Sequence, residues 1–182
     1  PMAVLSGPSF AREVANGQPT ALTLACKEKE LGMELCQAIS SPFFRPYFSK
    51  DLVGAQIGGA IKNVMAIATG IAAGCEMGEN ARAALITRGL AEIMRLGHAL
   101  GAEQETLMGL SGQGDLVLTC SSTQSRNMSL GFALGEGQSL EEVMGDRKTV
   151  AEGVPTAAAA VELAEKHKVD MPIVRAVNAI LN

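Results

Sequence analysis

One lysine stands alone in a long apolar segment, where its surroundings suit acid–base chemistry. The segment from 52 to 74 contains 23 residues, and Lys62 is its only ionisable side chain. Because helical side chains lean toward the N-terminus, we expect Lys62 to lie over Gly58 and Gly59, above space that no side chain fills. A shielded amine exchanges protons readily near neutral pH, so Lys62 is the candidate catalytic acid–base. A lysine that reaches the surface, or that is paired only for packing, is the alternative.

The same segment is long enough to cross a membrane, which is a second interpretation of its apolar character. Five glycines and a central lysine oppose it, since a lysine at a helix centre costs roughly 2.5–3.5 kcal/mol on insertion scales. The sequence therefore predicts a core helix and no membrane span.

A glycine-rich run at 109–114 precedes a second group of candidate residues. We expect a flexible loop there, with Asp115 as the N-cap of the following helix. Thr119 comes four residues later and shares a helix face with Asp115. This spacing aims a carboxylate and a hydroxyl at one ligand, and the carboxylate could also pair with Lys62. An ordinary helix cap is the alternative.

Ser125, Arg126 and Asn127 open another predicted helix. The first turn of a helix presents free N–H groups and positive potential, and an arginine adds a planar fork that suits phosphate. The run therefore favours a phosphorylated substrate or cofactor. A polar loop without a ligand is the alternative.

Composition excludes several classes of protein. With 47% apolar residues in 182, the chain can build a globular core. Its 3% aromatic content and net charge of −4 argue against a nucleic-acid partner. Four dispersed cysteines and two isolated histidines lack the spacing of a metal site, so we predict no metal, buried thiols and a cytoplasmic location.

The elements that must position these residues change in character near residue 48. Strands are predicted at 2–5 and 20–26, helical turns at 9–16, a helix at 29–39 and an edge strand or extended connector at 42–48. Only helices are predicted beyond residue 51, at 52–73, 80–100, 115–119, 126–134, 140–144, 156–167 and 173–181. The fold class predicted is mainly α, with residues 1–48 as the end of an α/β domain and 49–182 as a helical domain.

Five motifs in order give the chain a family resemblance. They are GPSFA at 7–11, GAIKN at 59–63, GEN with AALITRG at 78–89, the run 109–120, and SRN at 125–127. Together they resemble the bacterial-type NAD(P)-dependent glycerol-3-phosphate dehydrogenases, almost from end to end. The resemblance implies that 1–48 ends a Rossmann domain and that 49–182 binds substrate. It also implies reversible reduction of dihydroxyacetone phosphate by NAD(P)H to sn-glycerol 3-phosphate for phospholipid synthesis, and it leaves a homodimer open.

The resemblance further assigns roles to individual residues. Lys62 becomes the catalytic acid–base. The implied substrate-binding residues are Gly7, Ser9, Lys62, Asn63, Asp115, Thr119, Ser125, Arg126 and Asn127. The implied cofactor-binding residues are Gly7, Ser9, Ala11, Arg126, Val150 and Glu152.

The chain departs from this family at two points. No G-x-G-x-x-G turn follows a strand, so we expect a fragment that is inactive alone, and Gln113 is polar where an apolar residue is expected. A hydroxyacid or 6-phosphogluconate-type dehydrogenase, which also carries a lysine and an asparagine on a long helix, is the closest alternative. A helical dimerisation module without catalysis is the alternative from another class.

Overall fold

A three-stranded sheet forms the N-terminal part of the molecule. The computed structural model describes residues 2–145 and 151–182. Strands β1 (Ala3–Ser6), β2 (Thr20–Cys26) and β3 (Phe44–Ser49) lie in the order β1-β2-β3, with β1 antiparallel and β3 parallel to β2. Helix α1 (Ala11–Ala15) joins the first two strands, and α2 (Lys29–Ile39) joins the second to the third. The segment predicted as an edge strand or connector is therefore an edge strand.

Helices form the rest of the described chain, which confirms the mainly α fold. They are α3 (Leu52–Gly74), α4 (Gly78–Ala99), α5 (Gln104–Met108), α6 (Asp115–Cys120), α7 (Arg126–Gly135), α8 (Leu140–Gly145), α9 (Gly153–Lys166) and α10 (Pro172–Leu181). Helix α5 was not predicted. The glycine-rich run is not a flexible loop, because 110–114 forms a π-helical turn that continues directly into α6.

Helix α3 is the centre of the core. Its apolar side chains Ile61, Val64, Met65 and Ile67 are almost fully buried, against residues of α4, α6, α7 and α9. Burial of each such side chain stabilises the fold by roughly 1.5–3 kcal/mol. The helix has the length and apolar character of a membrane span, but 56% of its most apolar stretch is buried inside the protein. This is what a core helix requires.

Helices α3 and α7 touch through their backbones. A Cβ atom at Gly131 of α7 would overlap the main-chain oxygen of Ile67 in α3. Only a residue without a side chain permits this approach. The first turn of α7, which carries Arg126 and Asn127, is thereby held against the middle of α3.

Three of the four cysteines are buried free thiols, as predicted. Cys75 is the exception: it is exposed because it follows the last residue of α3. Burial raises the pKa of the Cys120 thiol to about 12. Cys120 is therefore a core residue of low reactivity.

Candidate active site

Lys62 and Asp115 form an ion pair, Nζ to Oδ2, at the edge of the core. The lysine side chain is 20% exposed and the aspartate side chain 3%. Burial raises the pKa of the Asp115 carboxyl, and the Lys62 ammonium and the Thr119 hydroxyl offset this only in part. The pair is thus a partly shielded cation on an almost fully buried anion, which is an arrangement that can exchange a proton with a ligand.

The π-helical turn brings Asp115 to Lys62. Gly58 makes room for it, since a Cβ there would lie 3.0 Å from Gly112 Cα and closer still to the Ser111 main-chain oxygen. The prediction of unfilled space beneath Lys62 is therefore wrong at Gly58, where backbone from the turn fills it. The N-cap predicted at Asp115 is also wrong, because helical backbone already precedes it at Gly114.

Thr119 lies beside the same carboxylate, on the face that its spacing predicted. Its Oγ1 is 2.6 Å from the Asp115 main-chain oxygen and 3.3 Å from Asp115 Oδ1, both acceptors. The two carboxylate oxygens of Asp115 therefore face different donors, Lys62 at one and Thr119 at the other. This fixes the carboxylate plane relative to the lysine.

Two buried asparagines link three helices next to this pair. The backbone N–H of Gly153 donates to Asn127 Oδ1 at 2.8 Å, and Asn127 Nδ2 donates to Asn63 Oδ1 at 3.1 Å. Asn63 Nδ2 in turn donates to the main-chain oxygen of Gly59 at 3.4 Å. The first turn of α7 and the start of α9 are thus tied to α3 immediately after Lys62.

Ser125 and Arg126 form the outer wall of the site. Ser125 is the N-cap of α7, and its Oγ accepts from the Met128 N–H at 3.3 Å. The Arg126 side chain is 51% exposed, and its Nη2 lies 3.4 Å from Glu152 Oε1. A long, exposed ion pair of this kind contributes little to stability.

Two adjoining cavities meet at Lys62. One has a volume of about 430 Å³ and the other about 470 Å³. Both are lined by Ser9, Lys62, Asn63, Asp115 and Glu152.

The remaining predicted residues divide between these two cavities. Ala11, Thr119, Ser125, Arg126 and Asn127 line the first, and Gly7 lines the second. Ser9 precedes Phe10, the N-cap of α1, and its Oγ donates to the Gly7 main-chain oxygen at 2.9 Å. Val150 lies outside the described residues. Every other predicted site residue thus lies in this one region.

Arg12 and Gln124 also line the first cavity, and sequence reasoning missed them. Gln124 Nε2 donates to Glu13 Oε1 at 3.3 Å, which ties the loop before α7 to α1. Their positions directly after GPSFA and directly before SRN are the signal that could have identified them.

Models of protein families match both parts of the chain. The model described as NAD-dependent glycerol-3-phosphate dehydrogenase C-terminus matches residues 51–182, and the corresponding N-terminus model matches 1–32. The chain therefore belongs to the NAD-dependent glycerol-3-phosphate dehydrogenase family.

Individual relatives carry the same description. A glycerol-3-phosphate dehydrogenase [NAD(P)+] of Rhodospirillum rubrum is 61% identical over 182 residues, which are 100% of this chain and 52% of the relative. One from Caulobacter vibrioides is 58% identical over 181 residues, covering 100% of this chain and 55% of that protein. The chain thus spans about half the length of the curated relatives it matches.

Solved structures show the same fold. The crystal structure of glycerol-3-phosphate dehydrogenase from Coxiella burnetii superposes with a TM-score of 0.97 at 46% identity, over 100% of this chain and 56% of that one. The enzyme from Saccharomyces cerevisiae gives a TM-score of 0.87 at 29% identity, over 97% of this chain and 54% of that one.

Proposed function

We propose that this chain provides the substrate-binding and proton-transferring part of an NAD(P)H-dependent glycerol-3-phosphate dehydrogenase. The reaction is the reversible reduction of dihydroxyacetone phosphate to sn-glycerol 3-phosphate, a precursor of phospholipids. The observation that carries the proposal is the Lys62–Asp115 pair, which lies where two cavities meet and beside the phosphate-suited first turn of α7.

The first cavity is the proposed substrate site. Arg126 offers its guanidinium to the phosphate, and the free N–H groups at the start of α7 add positive potential. Ser125 and Asn127 line the same cavity, as do Asp115 and Thr119, which lie next to Lys62. A three-carbon phosphate held at α7 would therefore place its carbonyl near Lys62.

Lys62 is the proposed acid in the reduction. Its ammonium donates a proton to the carbonyl oxygen, which becomes the hydroxyl of sn-glycerol 3-phosphate. In the reverse direction the neutral amine accepts the hydroxyl proton. Asp115, which is almost fully buried, holds the Lys62 amine in place at the junction of the two cavities.

NAD(P)H would supply the hydride when bound. The residues proposed to hold it are Gly7, Ser9, Ala11, Arg126, Val150 and Glu152. The second cavity fits this assignment: it adjoins Lys62, its volume of about 470 Å³ accommodates a nicotinamide ring, and Gly7 and Ser9 line it. The G-x-G-x-x-G turn that cradles the pyrophosphate is absent from the 182 residues, so only the nicotinamide end of the site is proposed here.

The domain division is part of the proposal. We assign residues 1–48 to the end of a Rossmann domain and 49–182 to the substrate domain. The separate matches of the two family models, to 1–32 and to 51–182, support this division. The free buried thiols support a cytoplasmic location. A homodimer stays a prediction that sedimentation of the chain would test.

A chimeric protein, called the graft below, tests the function. In it, residues 1–182 of this chain replace the matching segment of the Rhodospirillum rubrum relative, and the oxidation of NADPH by dihydroxyacetone phosphate is followed. We expect turnover in the graft and none in the 182-residue chain alone. Lys62→Met should lower kcat by roughly 100- to 10,000-fold because the acid is lost.

Lys166→Met is the matched control, since Lys166 is an exposed lysine on α9, and it should leave kcat unchanged. Equal rates for the Lys62 and Lys166 variants would contradict the proposal, as would a graft that folds but does not reduce dihydroxyacetone phosphate.

A further inference from the structure

Resting on the proposed function, we infer that Arg12 is a second phosphate-binding arginine of the substrate cavity and a determinant of specificity for phosphorylated substrates. Arg12 lies on α1, in the part of the chain before residue 49, whereas Arg126 opens α7 in the helical part. Both side chains line the cavity of about 430 Å³. The function proposed above makes no use of Arg12.

The formal charges that line this cavity do not balance. Among its described lining residues the carboxylates are Asp115 and Glu152. Asp115 forms the ion pair with Lys62, and Glu152 Oε1 lies 3.4 Å from Arg126 Nη2. Arg12 is the charged lining residue that is left over. The cavity therefore has an excess of positive charge, and Arg12 supplies it.

Arg12 has no anionic partner in its own part of the chain. Glu13 is adjacent in sequence, but consecutive residues of a helix do not face each other. Glu13 Oε1 instead accepts from Gln124 Nε2 at 3.3 Å. None of the ion pairs within residues 2–145 and 151–182 includes Arg12. Its guanidinium donors are therefore available to an anion that enters the cavity.

The hydrogen bond between Glu13 and Gln124 keeps α1 close to the first turn of α7. Gln124 directly precedes Ser125, the N-cap of α7, so the bond ties α1 to the loop that leads into this helix. Arg12 is next to Glu13 in α1 and lines the same cavity as Gln124. A phosphate at the start of α7 would therefore meet one arginine from each part of the chain.

A phosphate monoester has enough charge to use both arginines. Its second pKa is about 6, so it is mostly a dianion at neutral pH. The guanidinium fork matches the geometry of phosphate oxygens and forms strong, charge-assisted hydrogen bonds with them. Lys62 and Arg126 already have carboxylate neighbours. Arg12 is thus the cation that best distinguishes a phosphate from a neutral hydroxyl at the same position.

Kinetics of the graft with and without a phosphate on the substrate test the inference. Arg12→Met should lower kcat/KM for dihydroxyacetone phosphate about tenfold, mainly through KM, because the lost bond holds ground state and transition state alike. The kcat/KM for dihydroxyacetone, which has no phosphate, should change by less than about twofold. Arg12→Lys keeps the charge but not the fork, so its loss should be only about threefold.

Arg45→Met is the matched control. Arg45 is an exposed arginine on β3, with its guanidinium carbon 5.4 Å from the centre of the Tyr47 ring, and its replacement should leave both substrates unaffected. Equal losses with the two substrates in Arg12→Met would make Arg12 a structural residue. A rise in KM for NADPH alone would make it a cofactor ligand. Either result would overturn the inference.

Binding of inorganic phosphate to the 182-residue chain tests the same inference without turnover. In an NMR titration the side-chain Nε–H signals of Arg12 and Arg126 should shift together, and Arg12→Met should raise the Kd about tenfold. A shift at Arg126 alone, with an unchanged Kd in Arg12→Met, would overturn the inference.

The two experiments also separate the inference from the proposed function. A graft that does not reduce dihydroxyacetone phosphate, in a chain whose two arginines both respond to inorganic phosphate, would count against the proposed function alone. An active graft in which Arg12→Met changes neither KM for dihydroxyacetone phosphate nor Kd for inorganic phosphate would count against the inference alone.

Discussion

Asp115 and Glu92 are both carboxylates inside the helical domain, 2% and 1% exposed, and burial raises the pKa of each. Their partners differ. Asp115 faces a lysine side chain, whereas Glu92 accepts from the backbone N–H groups of Ile173 at 2.7 Å and Val174 at 3.2 Å. Both have the perturbed pKa that is often taken as a sign of function.

The partner decides what each carboxylate can do. A lysine can give up and regain a proton, and it borders two cavities that a ligand can enter. Glu92 also borders a cavity, of about 470 Å³, but its hydrogen-bond partners are backbone N–H groups, which are not deprotonated at ordinary pH. The role its contacts support is therefore to hold the first turn of α10 in place. Burial and a raised pKa therefore do not by themselves distinguish a reactive carboxylate from a structural one.

Asp115→Asn gives the largest effect expected from this comparison. Without its negative partner Lys62 loses the ion pair that orients its amine. We expect kcat of the graft to fall about 1000-fold, equal to about 4 kcal/mol at the barrier. The free energy of unfolding, from urea titration, should also fall, by up to about 3 kcal/mol, because Lys62, whose side chain is only 20% exposed, loses its counter-charge. If Asp115→Asn lowered stability but left kcat unchanged, Asp115 would be a structural carboxylate like Glu92.

Glu92→Ala should show the converse behaviour. It leaves the partly buried N–H of Ile173 and the buried N–H of Val174 without their acceptor, so we expect the free energy of unfolding to fall by about 3 kcal/mol. The kcat of the folded graft should stay within about threefold. Glu162→Ala, at an exposed glutamate on α9, should change stability by less than about 0.5 kcal/mol. If Glu92→Ala abolished turnover in a fully folded protein, Glu92 would have to be more than a helix cap.

The pH dependence of stability tests what the two carboxylates share. The pKa of Glu92 lies above its ordinary 4.5, and that of Asp115 above 3.8. Above these ordinary values and up to the raised ones, the folded chain binds more protons than the unfolded chain. Each group's contribution is therefore complete below its ordinary pKa and is lost as the pH rises through the raised value.

Glu92→Gln should remove one such contribution. The fall of the unfolding free energy with rising pH should then be less steep, by at most about 1.4 kcal/mol per pH unit. Urea titrations at pH 4 to 8 measure this slope. If the unfolding free energy of the variant fell more steeply with pH, protonation of Glu92 would oppose folding, contrary to this expectation.

The smallest effect concerns the charge next to Glu92. Arg95 lowers the pKa of Glu92 by its positive charge, and its Nε donates to the Asp170 main-chain oxygen at 2.9 Å. Arg95→Met should therefore raise the pKa of Glu92 further and lower the neutral-pH unfolding free energy by about 0.5 kcal/mol. Thermal unfolding at low and high salt measures it, and an effect that salt does not reduce would argue against a charge interaction.

Much of the fold could be predicted because its elements carry strong local patterns. The strand at 20–26 and the helix at 29–39 have the predicted bounds, and α3 ends within one residue of its prediction. Helix α5 was missed because five residues are too few to show a period. The turn at 110–114 was missed because glycines favour loops, and its helical form depends on contact with Gly58.

The candidate site was predictable by residue type but not by contact. Lys62 was conspicuous because it is alone among apolar residues, and the pairing with Asp115 was one option among several. The burial of Glu92 could not be predicted, since an acidic residue in a helix usually faces water and its partners lie 81 and 82 positions away. The link between Asn63 and Asn127, 64 positions apart, likewise exists only after α7 has packed on α3.

The contact between Gly131 and the Ile67 backbone determines the distance between α3 and α7. With no side chain between them, α3 and α7 are separated by the van der Waals radii of main-chain atoms, which no exchange of neighbouring side chains can shorten or lengthen. The distance from α3, which carries Lys62, to the first turn of α7 therefore depends little on how the remaining core is filled. Mutations that loosen the packing around α9 or α10 should therefore lower the stability of the protein before they change the distance between α3 and α7.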